Sequence, residues 1–458
     1  MISDLYILFK LVTVFFSFVS VCLILTGMFL CFTNFRKRIL MNQVFESKKI
    51  IGFYHPYTNA CGGGEKVLFL ALKAISVMAK RTKSKIVIYT VEDQDAEEIV
   101  QRAAERFNFK VDFEFKLVRI TRRYFTDQHS VVKLSLLNQA IGNIVSVIEA
   151  ITTCPPDIFV DTIGVGFGYP FVKLFSPSTK VVSYTHYPFI QKDMISPELP
   201  RYKFFYYNLM LWLYKTVGYS ADVIMANSTW TQKHCKSLWG DTDKIKRVYP
   251  PCNTTAFSKI PFDTAKKDNI VSFSQFRPEK DQSGQLKAFY ELLEAHKEIS
   301  PHFYMIGSCR GAEDEKLLAS LQEEAKELGI DQKVTFLKNL PQQEVIDIMA
   351  EAKVAIHTMW NEHFGISIVE MMAAGLITIA HNSGGPKADI ILEEGKRGYL
   401  SETPKEFATA MQLALQTYNT AVGKSIRNTA RKAAIEQFSD EAFMENFSKC
   451  FSEVLPQD

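Results

Sequence analysis

The chain has 458 residues, 47% hydrophobic and 22% charged, an ordinary globular balance with length enough for two sizeable cores. Its 53 basic and 50 acidic residues leave a net charge of only +3, which excludes an electrostatic case for nucleic acid as a partner. Eight scattered cysteines without a Cys-x-x-Cys pair suggest neither a zinc site nor a disulfide framework, and reduced thiols fit a cytosolic setting. From Leu5 to Phe35 the chain is almost wholly apolar, and about 20 such residues suffice to span a bilayer. Arg36, Lys37 and Arg38 follow at once, which places the cytoplasm on that flank. The run exceeds a signal-peptide core, lacks a basic leader and shows no small-x-small cleavage site. Residues 1–38 are therefore expected to form an uncleaved, single-pass transmembrane helix with its basic flank.

Beyond it, short apolar strands alternate with helical stretches. Lys49–Phe53 reads as a buried strand, followed by Gly62-Gly63-Gly64 and a helix from Glu65 to about Met78. Lys85–Tyr89 is the next strand and Ala96–Phe107 an acidic helix; Asp157–Asp161 and Lys180–Tyr184 are further β-rich runs. The pattern restarts with a strand at Asn269–Ser274, a helix at Gly284–Ala295 and a strand at Phe303–Ile306. Lys333–Phe336, Val354–His357 and Ile377–Ala380 are strands too, with helices between them. The fold class is α/β, and such alternation implies parallel sheets with helices on both faces, here in two doubly wound, Rossmann-like halves. They are expected at 45–255 and 256–458, meeting in the Pro-containing stretch Pro250–Pro261. Tyr202–Tyr219 is dense in aromatics and flanked by bases, which suits either a helix in the first core or one at a lipid interface.

The chemistry concentrates after Val354–His357. Gly365 permits a tight turn, and Ile366–Ala373 then reads as a helix whose free N–H groups could hold a diphosphate. Glu362 and Glu370 would stand about 12 Å apart along a continuous helix. The paired carboxylates of a retaining glycosidase are about 5 Å apart. The wider spacing suits opposite ends of an extended ligand, one carboxylate at a donor sugar and the other at ribose hydroxyls.

Glu362-x7-Glu370 with its Phe-Gly core, Ala373-Ala374-Gly375 and Ser383-Gly384-Gly385-Pro386 together resemble the donor site of the retaining GT-B glycosyltransferases of family four. Gly62-Gly63-Gly64-Glu65, Tyr184-Thr185-His186-Tyr187-Pro188, Asn227-Ser228-Thr229 and Phe276-Arg277-Pro278-Glu279-Lys280 extend the resemblance along nearly the whole chain. The set is most similar to the endoplasmic-reticulum α-1,2-mannosyltransferases that build the dolichol-linked glycan.

The resemblance implies a cleft between the halves, and a last helix that returns to the first domain. It implies GDP-mannose as donor and dolichol-pyrophosphate-linked oligosaccharide as acceptor, receiving its fourth and fifth mannoses with retention of configuration. It further implies an endoplasmic-reticulum membrane location with cytosolic catalytic domains, a complex with other transferases of the pathway, and neither cofactor nor metal.

Residue by residue, Lys280, Glu362 and His186 take catalytic roles. Arg277, Gly365, Ile366, Ser367 and Glu370 bind the nucleotide sugar, and Gly62, Gly63 and Gly64 form a phosphate or acceptor loop. One departure stands out. The family places an arginine about five residues before the lysine, where this chain has Gln275, and Arg277 is only three before Lys280. Asp93-Gln94-Asp95 spells the metal motif of a different glycosyltransferase fold, but inside an acidic run it reads as a solvated helix start. A UDP-sugar transferase and a catalytically inactive membrane scaffold are the competing readings; retention of the Glu pair and Lys280 speaks against the second.

Overall fold

The computed structural model describes residues 27–58, 62–107, 111–121, 135–191, 194–195, 198–262 and 266–455. Most of the expected membrane span, residues 5–26, lies outside them. Its described remainder belongs to helix α1, residues 27–44. Among the described residues no helix is long and apolar enough to cross a membrane. The chain divides into two compact units. The first holds residues 1–225, 235–246 and 448–458, and the second holds 226–234 and 247–447.

The first unit carries strands β1 (Lys49–Tyr54), β2 (Ser84–Thr90), β3 (Lys116–Arg119), β4 (Ile158–Asp161), β5 (Lys180–Thr185), β6 (Val223–Ala226) and β7 (Ile245–Arg247). They form a seven-stranded sheet in the order β3-β2-β1-β4-β5-β6-β7, with the pairs from β3 to β5 parallel. Helices α2 (Gly63–Arg81), α3 (Ala96–Phe107), α4 (Ser135–Thr153), α5 (Tyr169–Phe175), α6 (Arg201–Val217) and α7 (Thr229–Trp239), whose residues up to His234 fall in the second unit, connect them. Strands covered on both faces are continuous apolar runs, as in Ile50, Ile51 and Phe53 of β1, each fully buried. Gly52 interrupts that run because a Cβ there would sit 2.5 Å from the ring of Tyr89, whose hydroxyl donates to the Cys154 carbonyl at 2.6 Å.

Helix α1 is tied to this unit by polar atoms and by Met41, which packs against its core. Asn34 and Lys37 donate to the carbonyls of Phe175 and Thr152, and Arg38 donates to Ser178 and lies 3.6 Å from Asp157. Its other side leaves Met28, Phe29, Phe32 and Leu40 exposed. The aromatic helix α6 has one buried and one exposed face. Met210, Leu211, Tyr214 and Val217 are buried in the core, while Tyr202 (68%), Phe205 (70%) and Trp212 (62%) stand in solvent. Asp95 of the Asp-Gln-Asp run caps α3, accepting from the Glu98 N–H at 2.9 Å.

The second unit opens with α8 (Thr254–Phe257) and builds its sheet from β8 (Asn269–Phe273), β9 (Phe303–Gly307), β10 (Val334–Lys338), β11 (Ala352–His357), β12 (Ile377–His381) and β13 (Tyr399–Ser401). The order is β10-β9-β8-β11-β12-β13, and every pair is parallel. Helices α9 (Gln282–Ala295), α10 (Ala312–Glu327), α11 (Gln342–Glu351), α12 (Ile366–Ala373), α13 (Pro404–Thr417), α14 (Ala421–Phe438) and α15 (Asp440–Phe451) follow. Strand order reverses between β8 and β11, and the carboxyl ends at such a switch point form the crevice where doubly wound sheets take ligands.

Candidate active site

In the second unit, the two strands at the switch point deliver the two groups that meet. Past β8 a 3-10 turn, Pro278–Lys280, carries Lys280; past β11 the loop carries Glu362. Lys280 Nζ lies 2.5 Å from Glu362 Oε2, and the same oxygen is 3.1 Å from Nε2 of His357, the fully buried last residue of β11. Burial alone would raise the Glu362 carboxyl, but the His357 hydrogen bond and the Lys280 charge overcome it and hold the group well below the usual carboxylate range. Because the carboxylate accepts, the His357 Nε2 must carry the proton. Thr358 ties the loops together, donating to the Asp281 carbonyl at 2.8 Å.

Gly365 ends the loop in the left-handed region (φ 113°) and caps α12, so Ile366 and Ser367 stand in its first turn, where N–H groups lack helical partners. The glycines of Ser383-Gly384-Gly385 are demanded by contact with that same loop. A Cβ on Gly384 would sit 2.3 Å from the Glu362 carbonyl, and one on Gly385 would sit 2.6 Å from Cα of Phe364. The Gly385 N–H donates to the Glu362 carbonyl at 2.8 Å, and Ser383 Oγ accepts from the Asn361 N–H at 2.8 Å. Glu370, on α12, accepts from the Asn253 N–H at 3.2 Å. The two glutamates therefore address different partners on either side of the Gly365 break. Arg277 joins neither; its guanidinium is 3.9 Å from Glu279, and both side chains are largely in solvent.

Buried Asp389, just after Pro386, accepts from the Thr229 N–H at 2.9 Å and from the Tyr249 hydroxyl at 2.8 Å. That fastens the Ser-Gly-Gly-Pro loop to the start of α7, where Trp230 stacks 5.0 Å from the His363 ring. Burial pushes the His363 imidazole below its usual value. Sequence reasoning did not single out His357, His363, Trp230 or Asp389. Only the short Glu362–His363 step hinted at the second.

In the first unit, His186 follows the end of β5 with Nε2 3.0 Å from the Thr162 carbonyl, to which it can only donate. The glycine loop is held by Glu65, which accepts from the Gly62 N–H at 2.7 Å and lies 3.6 Å from His55 Nε2. Burial raises the Glu65 carboxyl, but His55 and the backbone donors reverse this, leaving it below the ordinary value. A Cβ on Gly64 would meet nothing nearer than His55 at 3.9 Å, so neither packing nor backbone conformation requires glycine there. His55 also bonds Thr162 through Nδ1 at 2.8 Å, which joins the glycine loop and the His186 region through one residue.

Residues 48–239 match the family model described as ALG11 mannosyltransferase N-terminus, and residues 254–434 match Glycosyl transferases group 1. The GDP-Man:Man(3)GlcNAc(2)-PP-Dol alpha-1,2-mannosyltransferase of Xenopus laevis is 39% identical, covering 94% of this chain and 93% of its own. Its human counterpart is 36% identical over 94% and 92%, and that of Caenorhabditis elegans 31% over 97% of each. Among solved structures, a glycosyltransferase from Rickettsia africae superposes with a TM-score of 0.61 at 17% identity, covering 90% of this chain and all of its own. Sucrose-phosphate synthase from Thermosynechococcus elongatus gives 0.62 at 14%, again over 90% and 100%. At those identities the likeness speaks for the fold alone.

Proposed function

The chain belongs to the ALG11 family of GDP-Man:Man(3)GlcNAc(2)-PP-Dol alpha-1,2-mannosyltransferases, and from that membership we propose the reaction and the residues that carry it. It is an α-1,2-mannosyltransferase that moves mannose from GDP-mannose to a dolichol-pyrophosphate-linked oligosaccharide. The observation that carries this is identity above 30% across nearly the full length of relatives from frog, human and nematode.

Lys280 stands where the diphosphate leaves, and a cation there acts on charge as it develops. Glu362 holds Lys280 in place and meets the donor sugar; Glu370 meets the ribose. The first turn of α12, at Gly365, Ile366 and Ser367, offers N–H groups to the phosphates, with Arg277 nearby on the same loop as Lys280. His186 and Gly62, Gly63 and Gly64 serve the acceptor side. The mannose keeps its anomeric configuration, and the donor phosphate takes the acceptor's proton on the same face of the sugar. Each acceptor receives two mannoses, its fourth and fifth.

We further propose that residues 5–35 anchor the chain in the endoplasmic-reticulum membrane with the remainder cytosolic, in company with other transferases of the pathway. The basic step at Arg36–Arg38 supports this, as do the exposed apolar faces of α1 and α6. Incubating purified chain with GDP-mannose and a trimannosyl, pyrophosphate-linked lipid tests the reaction. An α-1,2-linked product is expected; transfer from a UDP-sugar in its place would overturn the donor assignment. Asn227, Asn253 and Asn446 head Asn-x-Ser/Thr sequons, and glycan on any of them in sealed microsomes would overturn the topology.

A further inference from the structure

The arginine of the common family-four spacing is missing at position 275, and the structure shows what Gln275 holds instead. Gly307, ending β9, lets the loop after β8 lie directly across it; a Cβ there would be 2.2 Å from the Ser274 carbonyl. The two loops are stitched together where they cross. Ser274 N–H donates to the Ile306 carbonyl at 3.0 Å and Phe276 N–H to the Ser308 carbonyl at 3.1 Å, while within the first loop the Gln275 carbonyl accepts from the Gln282 amide at 2.7 Å. The far side of the β9 loop is clamped by Asn339, whose side chain accepts from the Cys309 N–H at 3.0 Å and donates to its carbonyl at 3.3 Å. The next residue is Arg310, with its own N–H on Asp314 Oδ2 at 2.8 Å.

Oriented by the donors that face it, the Gln275 amide oxygen accepts from Arg310 Nη2 at 3.0 Å and Nε at 3.3 Å. Two bonds to one oxygen fix the plane of the guanidinium. A neutral amide does so without cancelling the charge, and among the described residues no carboxylate pairs with this guanidinium. Arg310 is exposed, at the carboxyl end of the strand next to β8, on the same edge of the sheet as Lys280. Arg277, by contrast, has Glu279 beside it.

We propose that Arg310, held by Gln275, is the second cation for the donor's diphosphate, and takes the place of the arginine that the common family-four spacing puts five residues before the lysine. The charge has moved from one loop to its neighbour across a crossing that Gly307 and Asn339 make rigid. The inference rests on the nucleoside-diphosphate-sugar reading above.

Calorimetric titration of the full chain with GDP and with guanosine tests it, alongside melting curves. Arg310→Gln is expected to weaken GDP by about ten- to a hundredfold, the range for one charge-assisted hydrogen bond, and to leave guanosine within about twofold. Arg310→Lys, which keeps the charge, should lose less. Gln275→Arg added to Arg310→Gln should recover most of the GDP affinity by returning the cation to the family's position, and Arg277→Ala should lose less than Arg310→Gln. Unchanged GDP affinity in Arg310→Gln, equal losses for GDP and guanosine, or equal losses for the Lys and Gln variants would each overturn the proposal. If the unaltered chain bound no GDP, the reading beneath it would fall first; GDP binding indifferent to Arg310 would sink this inference alone.

Discussion

Replacing Lys280 by Met separates what the lysine does for the fold from what it does for the donor. Glu362 is 9% exposed, and its Oε2 is shared by Lys280 and His357. Lys280→Met keeps the stem's volume and strands the carboxylate with His357 and the His363 N–H, 3.2 Å away. Breaking a buried pair from one side costs about 3–5 kcal/mol. The Lys280 side chain is 20% exposed, so water already screens part of the pair, and about 2–3 kcal/mol is the figure to expect. In a unit of roughly 200 residues each kcal/mol moves the midpoint by about 2–4 °C, which gives a drop of about 4–12 °C.

Glu362→Gln leaves a lysine that can turn to solvent and should cost only about 1 kcal/mol. The double variant removes both charges and should recover most of what Lys280→Met lost, because replacing a whole buried pair is often neutral. Calorimetric melting at pH 7 reads all three, and mannose transfer is measured beside it. The double variant is expected to be stable and inactive. A Lys280→Met midpoint within 1–2 °C of the parent, or a double variant no more stable than that single one, would refute the reasoning.

The same carboxylate sets an acid response. Burial raises Glu362 while His357 and Lys280 more than offset it, so its folded value lies below the ordinary 4.5; its contribution is present above that pH and drains away as pH falls. Glu362→Gln should flatten the acid limb of the stability curve, and an unaltered slope would count against the pairing. Gly64→Ala meets nothing within 3.9 Å and should leave melting unchanged or slightly raised, yet cut mannose transfer about tenfold if a ligand approaches that backbone. Gly384→Ala, at φ 58° with the Glu362 carbonyl 2.3 Å from the new Cβ, should cost at least about 1–3 kcal/mol, measured by denaturant midpoint. Changing Phe205 and Trp212 to Ser in a chain lacking residues 1–38 should alter stability by no more than about 0.5 kcal/mol per site. The same change should release that chain from floated liposomes; loss of melting temperature without release would make α6 a core element only.

Elements buried on both faces were legible because nothing but apolar residues can occupy them. β8, β11 and β12 came within a residue or two of their observed ends, and Ala96–Phe107 and Ile366–Ala373 match the helices found. Two of the short edge strands were not. Lys116–Arg119 and Tyr399–Ser401 are three or four residues with little wholly buried surface, so no apolar run announces them. Ser135–Thr153 escaped for another reason: its apolar residues are abundant on every side, and the sequence before it offers no clear cap. Glycines were legible as special positions but not as to cause. Those at 384 and 385 serve packing against Glu362–Phe364, whereas Gly64 has open space beside it. The site was legible where its residues sit within one loop, as with Glu362 and Gly365. Thr229 and Asp389 are 160 positions apart, and no spacing rule reaches that far.

The two cations at the switch-point edge are held in opposite ways, and the difference bears on how a diphosphate is taken. Lys280 is neutralised by a buried glutamate whose affinity for its own proton is strongly depressed, so the pair carries almost no net field outward. A dianionic ligand must compete with Glu362 for that ammonium, and competition of this kind favours whichever state carries more charge on the phosphate. The leaving diphosphate carries more than the bound sugar nucleotide, so on the proposed donor reading Lys280 would discriminate a transition state better than it captures a ground state. Arg310 has an amide for a partner and keeps its full charge, which suits capture and suits discrimination poorly. Had position 275 carried Glu, both cations would be masked; had it carried Arg, as in the common family-four spacing, that arginine would stand on the same short loop as Lys280. On the proposed reading, Gln275 with Arg310 would divide the work between two loops joined by backbone hydrogen bonds, with the turnover burden on the masked lysine and the affinity burden on the unmasked arginine.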